Sequence, residues 1–266
     1  MASLEFAHVT HAYVAGQTAL DDVSLSIGDG ESVALIGPSG CGKSSLLMMA
    51  AGLLRPSAGR VLVGGAPVDG PRRETALILQ TLGLLPWKTV EANVALGLRL
   101  RGVGRRERRE RARRALASVG LADVAARYPA ELSGGMRQRV AIARSLALDC
   151  DLLLMDEPLS ALDELLREQI QDMLRDLWRE RGYTQVIVTH SIEEGVFLGQ
   201  RVVVMTPHPG RVGAIVQNPG AGGRAWRASD GFYAVCREVR AALAAGMGAA
   251  AGSTAPAGAC DEGEAR

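Results

Sequence analysis

Residues 32–36, 152–155, 186–188 and 202–205 form four short apolar runs without polar alternation, the pattern of strands buried on both faces of a parallel sheet. Between the second and third, residues 164–181 place Leu165, Leu166, Ile170, Met173, Leu174, Leu177 and Trp178 along one side of a helix, giving a strand, helix, strand crossover. This alternation predicts an α/β layer fold whose ligands gather outside the carboxyl ends of the strands. The first thirty residues differ. Residues 4–13 and 19–27 alternate in part, with Gly16 between them, and predict an antiparallel β layer with room for residues 61–63. From about residue 90 to residue 150 the pattern is helical. After Gly246 the chain is mostly Ala, Gly, Ser and Pro with a short acidic end, which predicts a disordered tail over residues 247–266.

Composition narrows the classes. An apolar share of 47% with 22% charged residues in a chain of 266 is that of a folded globular protein, and a net charge of +1 supplies no general attraction for nucleic acid. The longest nearly unbroken apolar stretch, residues 241–251, is Ala and Gly with one Leu and one Met. It is too short and weakly apolar for a bilayer core of about 30 Å. With no charged-then-apolar leader, these features predict a cytoplasmic chain. Cys41, Cys150, Cys236 and Cys260 form no CxxC pair, so neither a zinc site nor a disulfide framework is expected. Residues 99–114 hold nine arginines and two glutamates, read as a solvated helix face rather than an interaction surface.

The candidate chemistry sits at strand ends. Gly37-Pro38-Ser39-Gly40-Cys41-Gly42-Lys43-Ser44 has phosphate-loop spacing, follows the first buried strand and precedes an apolar helical run at residues 46–51. Glycines let backbone N–H groups close on phosphate oxygens, and the helix N-terminus adds partial positive charge. Lys43 would reach the β and γ phosphates, and Ser44 would ligate Mg²⁺. Of thirty basic residues only Lys43 and Lys88 are lysines, so an Arg-biased chain retains a compact ammonium where a planar guanidinium does not fit. Cys41 reads as a small spacer. Asp156-Glu157-Pro158 ends the 152–155 strand: Asp156 suits a hold on Mg²⁺, and Glu157 can polarise a water toward the γ-phosphorus. Outside a phosphate-loop chain the same acids would be a solvated turn. His190 ends the 186–188 strand and suits a hydrogen bond to the γ-phosphate and attacking water, although a lone histidine there is more often structural. Gln80, after residues 76–79, suits a reach to the metal or lytic water. Tyr13 could stack on adenine or simply pack.

Leu132-Ser133-Gly134-Gly135-Met136-Arg137-Gln138-Arg139 resembles the signature motif of the ATP-binding cassette family. The resemblance spans residues 4–245, with Tyr13, the phosphate loop, Gln80, the signature, Asp156-Glu157, Ser160-Ala161-Leu162-Asp163 and His190 in family order. Met136, Leu79 and Ser191 depart from the commoner Gln, Phe and Asp, and none removes a catalytic group. The resemblance implies a RecA-like P-loop NTPase core with an N-terminal antiparallel β subdomain and an inserted helical subdomain at about residues 88–148, together forming one domain over residues 1–246. It implies ATP and Mg²⁺ as ligands. ATP would be bound by Tyr13, Gly37, Pro38, Ser39, Gly40, Cys41, Gly42, Lys43, Ser44, Ser45 and Gln80, and across a dimer by Ser133, Gly134, Gly135 and Asp163. The metal would be held by Ser44, Gln80 and Asp156, with catalysis by Glu157, His190, Gln80 and Lys43.

Within the family, Gly83-Leu84-Leu85-Pro86-Trp87, Met136-Arg137-Gln138-Arg139 and Pro209-Gly210-Arg211-Val212 are most similar to ATPases of nitrate, sulfonate and taurine importers. That likeness implies a peripheral subunit on the cytoplasmic face of the plasma membrane, pairing with a second copy of itself. It would drive a separate membrane permease and, indirectly, serve a solute-binding protein, without nucleic acid. Trp87 would be an anchor for the permease, with core packing as its other reading. A cassette ATPase acting on nucleic acid or ribosomes is the alternative function.

Overall fold

The computed structural model describes residues 1–14, 16–160, 162–223 and 225–252. The chain opens with β1 (Leu4–Val14) and β2 (Gln17–Ile27), an antiparallel hairpin pairing Leu4 with Ile27 and Val14 with Gln17. β3 (Ser32–Ile36) enters a second sheet and delivers the chain to α1 (Lys43–Ala50). β4 (Ala58–Val63) and β5 (Ala66–Pro67) return to the first sheet, and β6 (Thr75–Ile78) goes to the second. A helical stretch follows: α2 (Val90–Val94), α3 (Leu96–Leu100), α4 (Arg105–Ser118) and α5 (Gly134–Leu146). Then come β7 (Leu152–Asp156), α6 (Glu164–Arg181), β8 (Thr184–Val188), α7 (Ile192–Leu198), β9 (Arg201–Met205), β10 (Val212–Gln217) and α8 (Asp230–Gly252).

The first sheet has the order β2-β1-β4-β5 and is antiparallel throughout; the second has the order β10-β9-β3-β8-β7-β6, parallel except for β10 at its edge. Both predicted layers are present, and the four buried runs are β3, β7, β8 and β9. Three strands escaped the pattern. β5 has only two residues, β6 is short and half-buried, and β10 is an edge whose outward face exposes Gly213, Ile215 and Gln217.

Period-two geometry explains the continuous apolar runs. Val33, Leu35, Leu152, Leu154, Val186, Val188, Val203 and Met205 face a core shared with α1 and the antiparallel sheet. Their neighbours Ala34, Ile36, Leu153, Met155, Ile187, Val202 and Val204 face the other core, built with α2 and α4 to α8. Each fully buried Leu, Ile or Val contributes about 1.5–3 kcal/mol of transfer free energy, so both faces resist polar substitution.

α6 begins where Asp163 accepts the Leu166 N–H at 3.0 Å and stops at Gly182, whose φ of 71° is the left-handed conformation a helix terminator needs. α8 runs through Gly252, past the boundary at residue 246 expected from composition; its alanines are good helix formers, which an Ala/Gly tally does not weigh. Residues 253–266, with the rest of the expected tail and Cys260, lie outside the described residues.

The arginine-rich stretch is two helices, parted by residues 101–104 with Gly102 at φ 79°. It is not purely a solvated face: Arg109 and Arg113 pair with Glu91 at 3.1 and 2.9 Å, and Arg111 with Asp149 at 2.6 Å, tying α4 to α2 and to the end of α5.

Candidate active site

β3 ends at Ile36 and the chain turns sharply before α1. Gly40 and Gly42 have φ of 80° and 88°, values that a side chain strains, and a Cβ on Gly42 would lie 2.8 Å from Leu20 Cγ. No side chain caps α1 and its first turn holds no acid, so its N-terminus offers an unneutralised positive end to an anion. Lys43, 8% exposed, donates from Nζ to the carbonyl oxygens of Gly37 and Pro38 at 2.8 Å each. Its ammonium is thus folded back onto its own loop. Cys41 packs its Sγ 3.5 Å from that Nζ and is itself buried, in keeping with a spacer.

A cleft of about 350 Å³ opens over this turn, lined by Tyr13, Ala19, Ser39, Gly40, Gly42, Lys43, Ser44, Ser45, Gln80, Glu157 and Val188. Tyr13 stands at its rim, 62% exposed, with its hydroxyl 2.7 Å from Ser45 Oγ and its ring edge-on to His11. Ala19 and Val188 are the lining residues that sequence reasoning did not single out; neither carries a polar group by which to notice it.

The two acids at the end of β7 diverge. Asp156 is buried against the Ser44 hydroxyl, and burial holds its carboxyl above the usual range; the Ser44 hydrogen bond and the Lys43 charge oppose that rise, while Glu157 adds to it. Glu157 has a φ of 47°, unusual for a side-chain-bearing residue, and is fixed there by its N–H on Val188 O at 2.9 Å and by the Ser160 hydroxyl on its own carbonyl at 3.2 Å. That turn carries its carboxylate away from Asp156. Oε2 accepts Gln80 Nε2 at 3.3 Å and Oε1 lies 3.3 Å from His190 Nδ1. Three residues far apart in sequence therefore meet at one carboxylate.

Ser133, Gly134, Gly135 and Asp163 are not among the residues lining this cleft. Ser133 caps α5, accepting the Met136 N–H at 3.3 Å, and the two glycines form the helix's first turn. Nothing lies within 4 Å of a Cβ on Gly134, so that turn presents an open face. Asp163 caps α6, and Ala161 beside it lies outside the described residues. α5 is nonetheless wired to the cleft: Gln138 donates to the carbonyl of Pro158, next to Glu157, and Arg144 donates to Gly83 O and Leu82 O at 2.6 and 2.5 Å, three and two residues beyond Gln80.

Trp87 is 71% exposed, which rules out core packing. It is presented by a turn that Asn93 staples from a fully buried position: its Nδ2 donates to Leu85 O, Lys88 O and Thr89 O, and its Oδ1 accepts the Leu85 N–H at 2.7 Å. Gly210 is a second supporting residue without a chemical signature. Its N–H and carbonyl pair with Ala19 O and the Asp21 N–H at 2.9 and 3.1 Å, pressing its backbone against Cys41 in the phosphate loop.

A glycine loop at an uncapped helix start, a desolvated aspartate against a loop serine, and a glutamate bracketed by Gln and His define a phosphate-loop nucleotide-binding protein. The comparisons narrow this class. The ABC transporter family profile matches residues 20–160. A taurine import ATP-binding protein TauB of Chromobacterium violaceum is 52% identical over 82% of this chain and 83% of its own length, and one of Burkholderia pseudomallei is 51% identical over 73% and 75%. Among solved structures, the dimeric post-hydrolysis state of the ATP-binding cassette MJ0796 bound to ADP and Pi has a TM-score of 0.74 at 34% identity, covering 80% of this chain and 98% of that one. The structure of cbiO1 from Clostridium perfringens, part of the ABC transporter complex cbiONQ, has a TM-score of 0.72 at 30% identity, covering 82% and 88%. The chain belongs to the ABC transporter family, as one of its ATP-binding ATPase subunits.

Proposed function

We propose that this chain is the ATP-hydrolysing subunit of a bacterial-type importer, powering uptake of a small sulfonate such as taurine through a separate permease. The observation that carries the catalytic reading is the Glu157 carboxylate, held between Gln80 and His190 at the mouth of the phosphate-loop cleft. The taurine import proteins related to it support the solute class. Their names also favour a transport role over action on nucleic acid or ribosomes.

In this reading Gly37, Pro38, Ser39, Gly40, Cys41, Gly42, Lys43, Ser44 and Ser45 receive the phosphates of ATP. Lys43 exchanges its two carbonyl acceptors for phosphate oxygens, so the ammonium is already desolvated and aimed when the nucleotide arrives. Tyr13 offers its exposed ring to the adenine. Ser44, Asp156 and Gln80 supply hard oxygen donors suited to Mg²⁺, and a buried carboxylate beside a hydroxyl fits a cation better than it fits bulk water. Bound there, Mg²⁺ would neutralise charge on the β and γ phosphates. Glu157 accepts a proton from the attacking water, and His190 and Gln80 fix the direction of its oxygens.

Ser133, Gly134, Gly135 and Asp163 complete the site from a second copy: they line no part of their own cleft, and the turn at Gly134 leaves room for a ligand. The MJ0796 cassette, a dimer, supports that arrangement. Trp87 anchors the permease, and the subunit sits peripherally on the cytoplasmic face of the membrane. No helix among the described residues is long and apolar enough to cross one. The test is reconstitution with its permease in liposomes: ATP-driven taurine uptake that vanishes with Glu157→Gln supports the reading, and ATP hydrolysis indifferent to permease and sulfonate contradicts it.

A further inference from the structure

His190 poses a problem of positioning. Its side chain is 68% exposed, so packing cannot fix the ring, yet its Nδ1 lies 3.3 Å from Glu157. Its orientation must come from the backbone on either side. Before it, Thr189 is buried, with its N–H on Leu35 O at 3.2 Å. After it, Ser191 caps α7, accepting the Glu194 N–H at 3.2 Å. One side chain joins these two flanks. Glu194, 5% exposed, accepts the Thr189 hydroxyl on Oε2 at 2.7 Å, and the same Thr189 oxygen accepts the Ser191 N–H at 3.1 Å.

We propose that Glu194 is a positioning residue for His190, closing a ring of hydrogen bonds through Thr189 and Ser191 that holds the imidazole toward Glu157. The inference rests on the catalytic reading of His190 given above. A buried carboxylate is an expensive way to fill space, and Glu194 Oε1 has no hydrogen-bond partner among the described residues. Burial pushes its carboxyl above the usual range, opposed first by the Thr189 hydroxyl and then by the charges of Arg167 and His190. An apolar residue would satisfy the core better. The geometry accounts for the acid through the one oxygen that is used, since no apolar side chain accepts the Thr189 hydroxyl. Through that hydroxyl the short α7, whose Gly195 and Val196 pack under β3, is coupled to the ring that meets the attacking water.

The test compares ATP hydrolysis by the assembled transporter carrying Glu194→Ala, Glu194→Gln, Thr189→Val, His190→Ala and the double variants with His190→Ala. Loss of the ring lets the imidazole wander by about an ångström, so Glu194→Ala and Thr189→Val should lower kcat roughly 10- to 100-fold with KM for ATP unchanged. Glu194→Gln keeps an acceptor oxygen for Thr189 and should retain most activity. In the His190→Ala background neither Glu194→Ala nor Thr189→Val should lower the rate further. The same fold-loss with and without His190 would overturn the proposal, as would a wild-type rate for Thr189→Val. Should Glu194→Ala fail to fold, Thr189→Val, which removes only the hydroxyl, makes the same comparison. A wild-type rate for His190→Ala alone would instead overturn the catalytic reading of the histidine, and the proposal with it.

Discussion

Gly210 buttresses the phosphate loop from a distance of 169 residues along the chain, and Gly210→Ala is the perturbation that isolates this support. A Cβ there would lie 2.9 Å from the Cys41 carbonyl carbon and closer still to its oxygen, where ordinary contact begins near 3.4 Å. Neither side is a flexible tip. Gly210 is clamped by its two backbone hydrogen bonds to Ala19 and Asp21, while Cys41 hangs on a single longer one, from its N–H to Pro38 O at 3.4 Å. The phosphate loop therefore yields. Overpacking of this kind costs about 1–3 kcal/mol, and 2 kcal/mol lowers the melting temperature by roughly 4–8 °C in a domain of this size. Displacing the loop amides forfeits one or two charge-assisted hydrogen bonds, about 1.5–3 kcal/mol each, so Mg-ATP should bind at least 10-fold more weakly. Isothermal calorimetry on the purified subunit reads the affinity, and calorimetric melting reads the stability. Gly104→Ala is the control: it has an ordinary φ of −59° and nothing within 4 Å of its Cβ, so both quantities should stay near wild type. A Gly210→Ala protein with native affinity and melting temperature would show that Gly210 does not support the phosphate loop.

Lys43→Ala should abolish measurable ATP binding while the fold survives, because among the described residues the ammonium bonds only to groups of its own loop and ties no two elements together; fluorescence titration with an ATP analogue checks this. Asp156 binds its proton more tightly folded than unfolded, so the stability it contributes without nucleotide is present below the ordinary carboxylate range and is lost as pH rises through its raised folded value. Asp156→Asn should therefore melt higher than wild type at pH 8 without ligand yet lose the stabilisation given by Mg-ATP, and melting curves from pH 4 to 8 show whether it does. Trp87→Ala should leave melting temperature and ATP affinity unchanged, since the ring is exposed, but weaken capture of the permease about 30-fold, the size of a 2 kcal/mol anchor. Burial pushes the thiols of Cys150 and Cys236 up to about 11, so iodoacetamide at pH 8 should leave both unmodified until the protein is unfolded, as peptide mass spectrometry would reveal.

Residues whose role is set by local chemistry were legible in the sequence. Gly37 to Ser44 announce an anion cradle because glycine, lysine and serine must follow one another along the chain, and Asp156-Glu157 and His190 stand where apolar strands stop. The α6 helix is legible from Glu164 to Arg181 since its apolar stripe is local. What escaped depends on long-range packing. Gly210 looks like any turn glycine until its backbone is seen against Cys41, and Asn93 is one polar residue in a helical stretch until its amide is found stapling the Trp87 turn. Glu194 carried no signal, because a buried acid and a solvated one are the same letter. The edge strand β10 and the start of β6 lack the double-faced burial that makes β3, β7, β8 and β9 stand out.

The proposed ATP-bridged dimer has the signature turn of each chain serve its neighbour's nucleotide and not its own. Light scattering on Glu157→Gln with saturating Mg-ATP measures this directly, beside the same protein carrying Gly134→Asp, a substitution the open turn accommodates without disturbing the fold. Glu157→Gln should double its mass on adding ATP, while the Gly134→Asp version should stay monomeric yet bind ATP with unchanged affinity. Dimers that form regardless of Gly134→Asp, or ATP binding that the substitution abolishes in the monomer, would contradict that arrangement.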